Sequence, residues 1–269
     1  MNLLKMIGKR IVQSCITILI VTLFVFALIQ MVPGNPVANY LGATATEEQI
    51  EYYTHLYGYD RPVIVQYLSW IGGLFHGTMG QSISYQSEIA DILLPRLMVT
   101  LSMVVPAFII GTVCGVLLGI LSAQNRGKWI DSVISFFANI GVSMPTFWLG
   151  MMGMLVLGLK LHLLPTSGYV PIERDFGGWL SHMIMPILVM SLGVNASFMR
   201  LTRSSMLEVI RQDYVTTARA KGVAKRSVIL KHQLRNALIP IVTVMGNIRG
   251  SMVGSTFLIE SLCVIHGLG

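Results

Sequence analysis

Long apolar runs alternate with short polar segments along this chain. A helix needs about 20 mostly apolar residues to cross about 30 Å of hydrocarbon, and five runs reach that length. They lie at residues 11–31, 97–121, 133–159, 182–201 and 237–259. The pattern therefore predicts an all-α polytopic membrane protein with five transmembrane helices.

The first run follows Lys5, Lys9 and Arg10, which is also how a secretory signal peptide begins. Its apolar part is longer than the roughly 7–15 residues of a signal peptide, and no small-x-small cleavage site follows it. We therefore expect this run to be retained as a transmembrane helix.

The composition agrees with lipid as the main solvent. Hydrophobic residues make up 54% of the chain and charged residues 12%, whereas average proteins carry about 25% charged residues. The mean hydropathy of +0.69 points the same way. A soluble chain of this length would need far more charge to coat its surface.

The distribution of basic residues predicts an orientation. With a cytoplasmic N-terminus, the inside segments hold 14 of the 19 Lys and Arg residues, including a cluster between Arg200 and Arg235. Because Lys and Arg are retained on the cytoplasmic side of a membrane, we expect a multi-pass chain with that orientation. The same retention accounts for the net charge of +7, so membrane lipid is an expected partner and nucleic acid is not.

No pattern in the sequence indicates catalysis or a cofactor. The phosphate loop G-x-x-x-x-G-K-[ST] is missing, so the chain is not expected to hydrolyse ATP or to be an enzyme. Three cysteines without short spacing give no disulfide or metal framework. The six histidines show no ligand spacing, so we expect no metal site.

Two polar segments interrupt the apolar pattern. The outer one, residues 32–96, carries a capping box at 46–49 and Pro62 at the start of a second helix. Its aromatic residues fit an interfacial belt with local packing, or contact with an external partner protein. The inner one, residues 202–236, is basic, with a second capping-box pattern at 205–208 and Gly222 placed to end a helix. The residues alone leave open whether it lies on anionic lipid or docks on a partner.

The inner segment resembles a known loop. Its runs DYVTTARAKGV at 213–223 and HQLRNALIP at 232–240 are similar to the cytoplasmic EAA loop of ABC importer permeases, in the oligopeptide, dipeptide and nickel branch. Other runs fit that family in order: VPGNP, LYGYDRP, GVSMPTFW and LPTSGY. Thr216, Thr217 and Arg235 depart from the general Glu, Ala and Pro in the way expected of this branch.

The resemblance implies a type I ABC importer transmembrane fold, with six crossings as the family norm. Three domains follow: a transmembrane helix at 1–31, an extracytoplasmic helical segment at 32–96 and a core at 97–269. Cys263 and His266 replace the family's Phe and Pro, and only five spans are predicted. We therefore expect the last transmembrane helix of the family to be missing and the core to be C-terminally incomplete.

The function implied is that of a permease subunit in an ATP-driven importer of a bacterial-type inner membrane. It would form half of the pathway for peptides or a related small solute such as a nickel chelate. The expected partners are a second permease subunit in a heterodimer, cytoplasmic ATP-binding subunits and an extracytoplasmic solute-binding protein. One alternative is a non-transporting truncated remnant; a secondary transporter is another, although neither paired intramembrane acids nor an inverted repeat is visible.

The resemblance also assigns candidate site residues. The residues expected to couple to the ATPase are Asp213, Thr217, Ala218, Ala220, Gly222 and Leu234. Ionisable and polar groups inside spans are functional candidates, so Arg249, Asn195 and Asn139 are assigned to the translocation pathway. The alternatives are an Arg249 paired within the bundle, or exposed where the missing sixth helix would lie, and asparagines that hydrogen-bond between helices. Glycines 111, 115 and 119 predict close helix packing.

Overall fold

The computed structural model describes residues 3–42, 45–82 and 84–269. For Leu3, 247–249, Ser251 and Val253 it describes the backbone alone. The chain divides into two compact units, Met1–Leu94 and Pro95–Gly269, called unit 1 and unit 2 below.

Unit 1 is built from helices and one very short hairpin. Its elements are α1 (Leu3–Gln30), α2 (Pro36–Leu41), α3 (Glu47–Leu56), α4 (Val63–Phe75), β1 (Gln81–Ser82) and β2 (Ser87–Glu88). The predicted capping box of α3 is confirmed, because Thr46 and Gln49 each accept from the other's backbone N–H. Pro62 directly precedes α4. Within the unit, Tyr67 of α4 contacts α1 through a 3.0 Å hydrogen bond with Thr22.

Unit 2 is entirely helical in the residues described, apart from its turns and loops. Its elements are α5 (Ile89–Gln124, which starts in unit 1), α6 (Trp129–Ser143), α7 (Thr146–Gly153), the π-helix π1 (Met154–Lys160), α8 (Phe176–Ile210), α9 (Asp213–Ala220), α10 (Lys225–Ser227), the π-helix π2 (Val228–Leu234) and α11 (Arg235–Cys263). The chain is thus an all-α polytopic protein with a two-residue strand pair as its only sheet among the described residues.

Three of the described helices are long and apolar enough to cross a membrane: α1, α5 and α8. The third predicted run is not one straight helix, because α6 and the helix after it are bent by 103°. Pro145 lies at this break and has no N–H to continue the ladder of α6. The two pieces together make a fourth crossing if they count as one broken span. The fifth predicted run lies within the 29-residue α11 and stays a prediction.

The fourth predicted run lies within a longer helix. Helix α8 continues to Ile210 and so includes the first nine residues of the polar inner segment. Ser205 is buried inside this helix, five residues before its end, and the capping box predicted at 205–208 is therefore wrong. An apolar face at Met206 and Val209, packed against the rest of unit 2, keeps the helix continuous where its sequence turns polar.

Helix α8 is the central element of unit 2, and α5 packs closely against it. A Cβ atom at Gly115 would lie 2.6 Å from the carbonyl oxygen of Asn195, and Gly111 and Gly119 approach α8 as closely. The glycine ridge predicted from the sequence is therefore confirmed. Several methionines fill the core around α8, among them Met103, Met183, Met190 and Met199, as expected of flexible packing side chains.

Candidate functional site

The polar segment between α8 and α11 forms a compact hairpin, residues 211–234, called the inner hairpin below. Two residues separate the end of α8 from the start of α9. It is closed by Gly222 at φ +75°, with the Val223 N–H bonded to the Ala218 carbonyl at 3.2 Å and the Gly222 N–H to the Arg219 carbonyl at 3.0 Å. This pair of bonds is the Schellman motif, which favours glycine at that position. The predicted left-handed end of the helix is confirmed.

The inner hairpin has an apolar face turned toward its own chain. Val215 of α9, Ala218 of α9 and Val228 of π2 are buried in one cluster, with Val209 of α8 packed against it. This cluster holds the short helices α9 and π2 together. Through Val209 it also joins the hairpin to the last turn of α8.

One hydrogen bond and one apolar contact hold π2, the second half of the inner hairpin, on the rest of unit 2. The Nε2 atom of Gln124, at the end of α5, donates to the Oε1 atom of the fully buried Gln233 at 2.7 Å. The neighbouring Leu234 packs with Ala123 and Met206. A π-helix is rare and often marks a functional site, and π2 is the segment that carries both of these residues.

The six predicted coupling residues separate into two sets. Ala218 is 7% exposed, and the partly buried Leu234 packs on the chain's own core. The other four are exposed: Asp213, Thr217, Ala220 and Gly222. A Cβ atom at Gly222 would meet no atom within 4 Å. The surface open to a partner thus carries small residues at Ala220 and Gly222. Exposed basic residues lie around them: Arg219, Lys221, Lys225, Arg226 and Lys231.

The predicted pathway residues are more scattered. Asn139 is exposed on α6 and Asn195 is half-buried on α8, while the side chain of Arg249 lies outside the described residues. A recess of about 190 Å³ lies between α7, α8 and α11. It is lined by Thr146, Met190, Gly193, Val194, Ser197, Met252 and Ser255. Neither asparagine is among these residues, so their pathway role stays a prediction.

Sequence analysis missed a partly buried ion pair near the inner hairpin, in which Asp131 is buried and the Arg203 side chain is 31% exposed. The guanidinium of Arg203 donates from Nε to Asp131 Oδ1 at 2.7 Å and from Nη2 to Oδ2 at 2.9 Å. The hydroxyl of Ser122 and the N–H of Gly127 also donate to this carboxylate. From the sequence, Arg203 is predicted only to be one of the basic residues on the cytoplasmic side. An acidic residue in the first turn of a helix, such as Asp131, is common. Nothing in the sequence indicates that it pairs with Arg203, 72 positions away.

Glu260 on α11 is a second buried acidic residue that sequence analysis did not identify. It is fully buried, and its two carboxylate oxygens accept from Thr100 Oγ1 and from the N–H of Gly269. The N–H of Leu268 in turn donates to Thr100 at 2.9 Å. These bonds fold residues 264–269 back over the end of α11 and onto α5.

In unit 1, the candidate surface for an external partner is an acidic groove. It is lined by Asn35, Glu47, Glu48, Ile50, Glu51, Tyr52, Thr54, His55, Leu56 and Asp60. Nδ1 of His55 lies 2.6 Å from Oδ2 of Asp60. This hydrogen bond holds the pKa of Asp60 below its usual value. The groove sets acidic residues beside aromatic ones and is open to solvent.

Comparisons with known proteins match nearly the whole chain. Residues 115–269 match the family described as "Binding-protein-dependent transport system inner membrane component", and residues 3–104 match the N-terminal part described for the same transport systems. The chain is 36% identical, over 98% of its length and 84% of the relative's, to a protein of Brucella abortus named "Putative peptide transport system permease protein".

Two further relatives are similar over comparable lengths. A "Putative peptide permease protein" of Brucella suis is 37% identical over 94% of this chain and 81% of its own. The "Dipeptide transport system permease protein" of Lactococcus lactis is 34% identical over 99% of this chain and 85% of its own.

Proposed function

The chain belongs to the family of binding-protein-dependent transport system inner membrane components, and from that premise we propose that it forms half of the translocation pathway of an ATP-driven peptide importer. Peptides are favoured over a nickel chelate as the solute because the relatives are named as peptide and dipeptide permeases. The proposed partners are a second permease subunit, ATP-binding subunits in the cytoplasm and an external solute-binding protein.

The observation that carries the proposal is the two-sided inner hairpin. One side is an apolar cluster that joins it to α8, and the other exposes small residues at Ala220 and Gly222. Small side chains allow a partner's surface to approach the backbone closely, while exposed basic residues around them set orientation and association rate more than affinity. This is the arrangement a docking element needs if it is to pass displacement of a partner to the transmembrane helices.

The remaining parts of the proposal follow from the orientation expected for the N-terminus. With that end cytoplasmic, the inner hairpin faces the ATP-binding subunits and the acidic groove of unit 1 faces the solute-binding protein. The proposed domains are the N-terminal helix 1–31, the external segment 32–96 and the core 97–269, with the coupling region narrowed from 202–236 to the inner hairpin. Arg249, Asn195 and Asn139 remain the proposed pathway residues.

The test replaces Gly222 by glutamine in the full importer, assembled with its partner subunits. The matched control is Gly77→Gln, because Gly77 also has positive φ (+82°) and open space around its Cβ position. Both changes carry the same backbone strain of about 1–2 kcal/mol, but only the first places a long side chain on the docking surface.

We expect Gly222→Gln to reduce copurification of the ATP-binding subunit and uptake of labelled peptide, with Gly77→Gln close to wild type. Equal effects of the two variants would show that strain alone is responsible. Normal assembly and uptake in Gly222→Gln would contradict the docking role, and uptake that follows an ion gradient after ATP depletion would favour a secondary transporter instead.

A further inference from the structure

The carboxylate of Asp131 joins three elements at the end of unit 2 next to the inner hairpin. It accepts from Arg203 of α8, from Ser122 of α5, and from the N–H of Gly127 in the turn between α5 and α6. Asp131 is 6% exposed. Asp131, Arg203 and Ser122 are called the charged clamp below.

We propose that the charged clamp is the positioning device that makes α6 move together with the base of the inner hairpin. It would pass displacement of that hairpin to the helix break at residues 144–145. The inference rests on the proposed function, since it names the residues that carry the displacement beyond the docking surface.

The first step of this route is the join between the hairpin and α8. Arg203 lies two turns before the end of α8 at Ile210. Between these points Val209 packs into the buried cluster of the hairpin. Only Arg211 and Gln212 separate α8 from α9, so the hairpin has little slack relative to the helix that bears Arg203.

The second step is the ion pair that links Arg203 of α8 to Asp131 of α6. Both guanidinium nitrogens that face Asp131 are used, each with its own carboxylate oxygen. Such a bidentate pair is satisfied in one relative position of the two helices. Apolar contacts, in contrast, tolerate small sliding movements. The Arg203 side chain is 31% exposed, and even a fully buried ion pair can often be replaced by well-packed apolar residues without loss of stability, so stability by itself is a weak reason for the clamp.

The third step is the packing of α6 on α8 between the charged clamp and the helix break at residues 144–145. Beyond the clamp, Ala138 of α6 packs with Ala196 and Met199 of α8. At Gly141 a Cβ atom would lie 3.2 Å from the Ala196 side chain. Helix α6 ends at Ser143, and α7 begins at Thr146 after the 103° bend. Thr146 lines the recess between α7, α8 and α11, so a movement of α6 reaches that recess across the two-residue break at 144–145.

The experiment uses the complete importer, reconstituted with its ATP-binding subunits and solute-binding protein in lipid vesicles. The double variant Asp131→Leu with Arg203→Met removes the directional bond and leaves no unpaired buried charge. A second variant, Arg203→Lys, keeps the charge but cannot donate two parallel bonds from a planar fork. Glu88→Gln, which removes an exposed charge of unit 1 outside the acidic groove, is the control. The readouts are assembly, basal ATP hydrolysis, and peptide transported per ATP.

We expect both clamp variants to assemble with near-normal basal ATP hydrolysis. Peptide transported per ATP should fall, by about tenfold in the double variant, which lies within the usual range of coupling free energies. The fall should be smaller in Arg203→Lys, and absent in the control.

Transport per ATP equal to wild type in Arg203→Lys would overturn the inference, whether or not the double variant assembles. Uptake that falls only in proportion to the amount of assembled complex would overturn it too, because that is the effect of a fold-stabilising contact. Failure of the docking proposal is separate, since it is measured by loss of the ATP-binding subunit in Gly222→Gln.

Discussion

The side-chain amide of Asn236 donates a 2.7 Å hydrogen bond to the hydroxyl of Tyr214. Tyr214 belongs to α9 and Asn236 to the first turn of α11, so this bond spans the open side of the inner hairpin. The apolar cluster holds the hairpin from within, and the Tyr214–Asn236 bond fixes its angle to the helix that follows. The hairpin is thus attached to α8 on one side and to α11 on the other.

Tyr214→Phe should therefore loosen the hairpin without unfolding it. The loss is one solvent-exposed hydrogen bond, worth about 0.5–1 kcal/mol, and the ring remains. We expect faster hydrogen exchange at residues 213–222 and a modest fall in peptide uptake. Tyr40→Phe, which removes an exposed hydrogen bond to the Ser84 carbonyl in unit 1 and lies outside the acidic groove, serves as the control. Exchange at 213–222 that does not change would show that the hairpin is held in place without this bond.

Ala218 and Ala220 form a matched pair for testing which side of α9 faces a partner. Ala218 is buried in the hairpin cluster and Ala220 is exposed. Ala218→Leu should overpack the cluster at a cost of about 1–3 kcal/mol and expose the hairpin to limited proteolysis. Ala220→Leu should leave proteolysis unchanged but weaken copurification of the ATP-binding subunit. The reverse assignment of these two effects would contradict the two-sided hairpin.

Gly115→Ala should destabilise unit 2, because its Cβ atom would lie 2.6 Å from the carbonyl oxygen of Asn195 and 2.8 Å from Cβ of Phe198. Overpacking of this kind costs about 1–3 kcal/mol. The control is Gly72→Ala in α4, where a Cβ atom meets nothing within 4 Å. The measurement is the thermal unfolding temperature in detergent, which should fall for Gly115→Ala only. A fall of the same size in both variants would point to backbone effects rather than to helix packing.

The His55–Asp60 bond predicts a pH dependence in unit 1. The pKa of Asp60 is lowered by the hydrogen bond from His55, so the contact favours the carboxylate. Its contribution is present above the ordinary Asp pKa of about 4 and is lost as the pH falls through the lowered value. We expect hydrogen exchange at residues 56–61 to become less protected in acid, with a smaller change in Asp60→Asn. An equal change in both would exclude this bond as the cause.

Features set by local chemistry could be predicted from the sequence. Gly222 was expected to end a helix because a left-handed residue is needed there, and its φ is +75°. The capping box of Thr46 and Gln49 depends on residues three apart, and it forms as predicted. The long apolar helices α1, α5 and α8 follow from hydropathy alone. In each case the interaction lies within one turn or one helix.

Features set by packing between distant segments could not be predicted. The pattern at Ser205 looks like a helix start, but burial of Ser205 and Met206 continues α8 through it. The apolar pattern predicts one span at 133–159, but α6 and the helix after it are bent by 103°. Arg203 lies 72 residues from Asp131, and Thr100 lies 160 residues from Glu260. Only the folded helices bring these two pairs together.

The most direct test of the central claim is cross-linking from the inner hairpin in the assembled importer. Single cysteines would be placed at Ala220 (Ala220→Cys) and, as control, at Gly77 (Gly77→Cys), in a chain whose own three cysteines are changed to alanine. We predict that a short thiol cross-linker joins position 220 to the ATP-binding subunit and that position 77 is not joined to it. A cross-link from position 77, or none from position 220 in a complex that still transports peptide, would contradict the account.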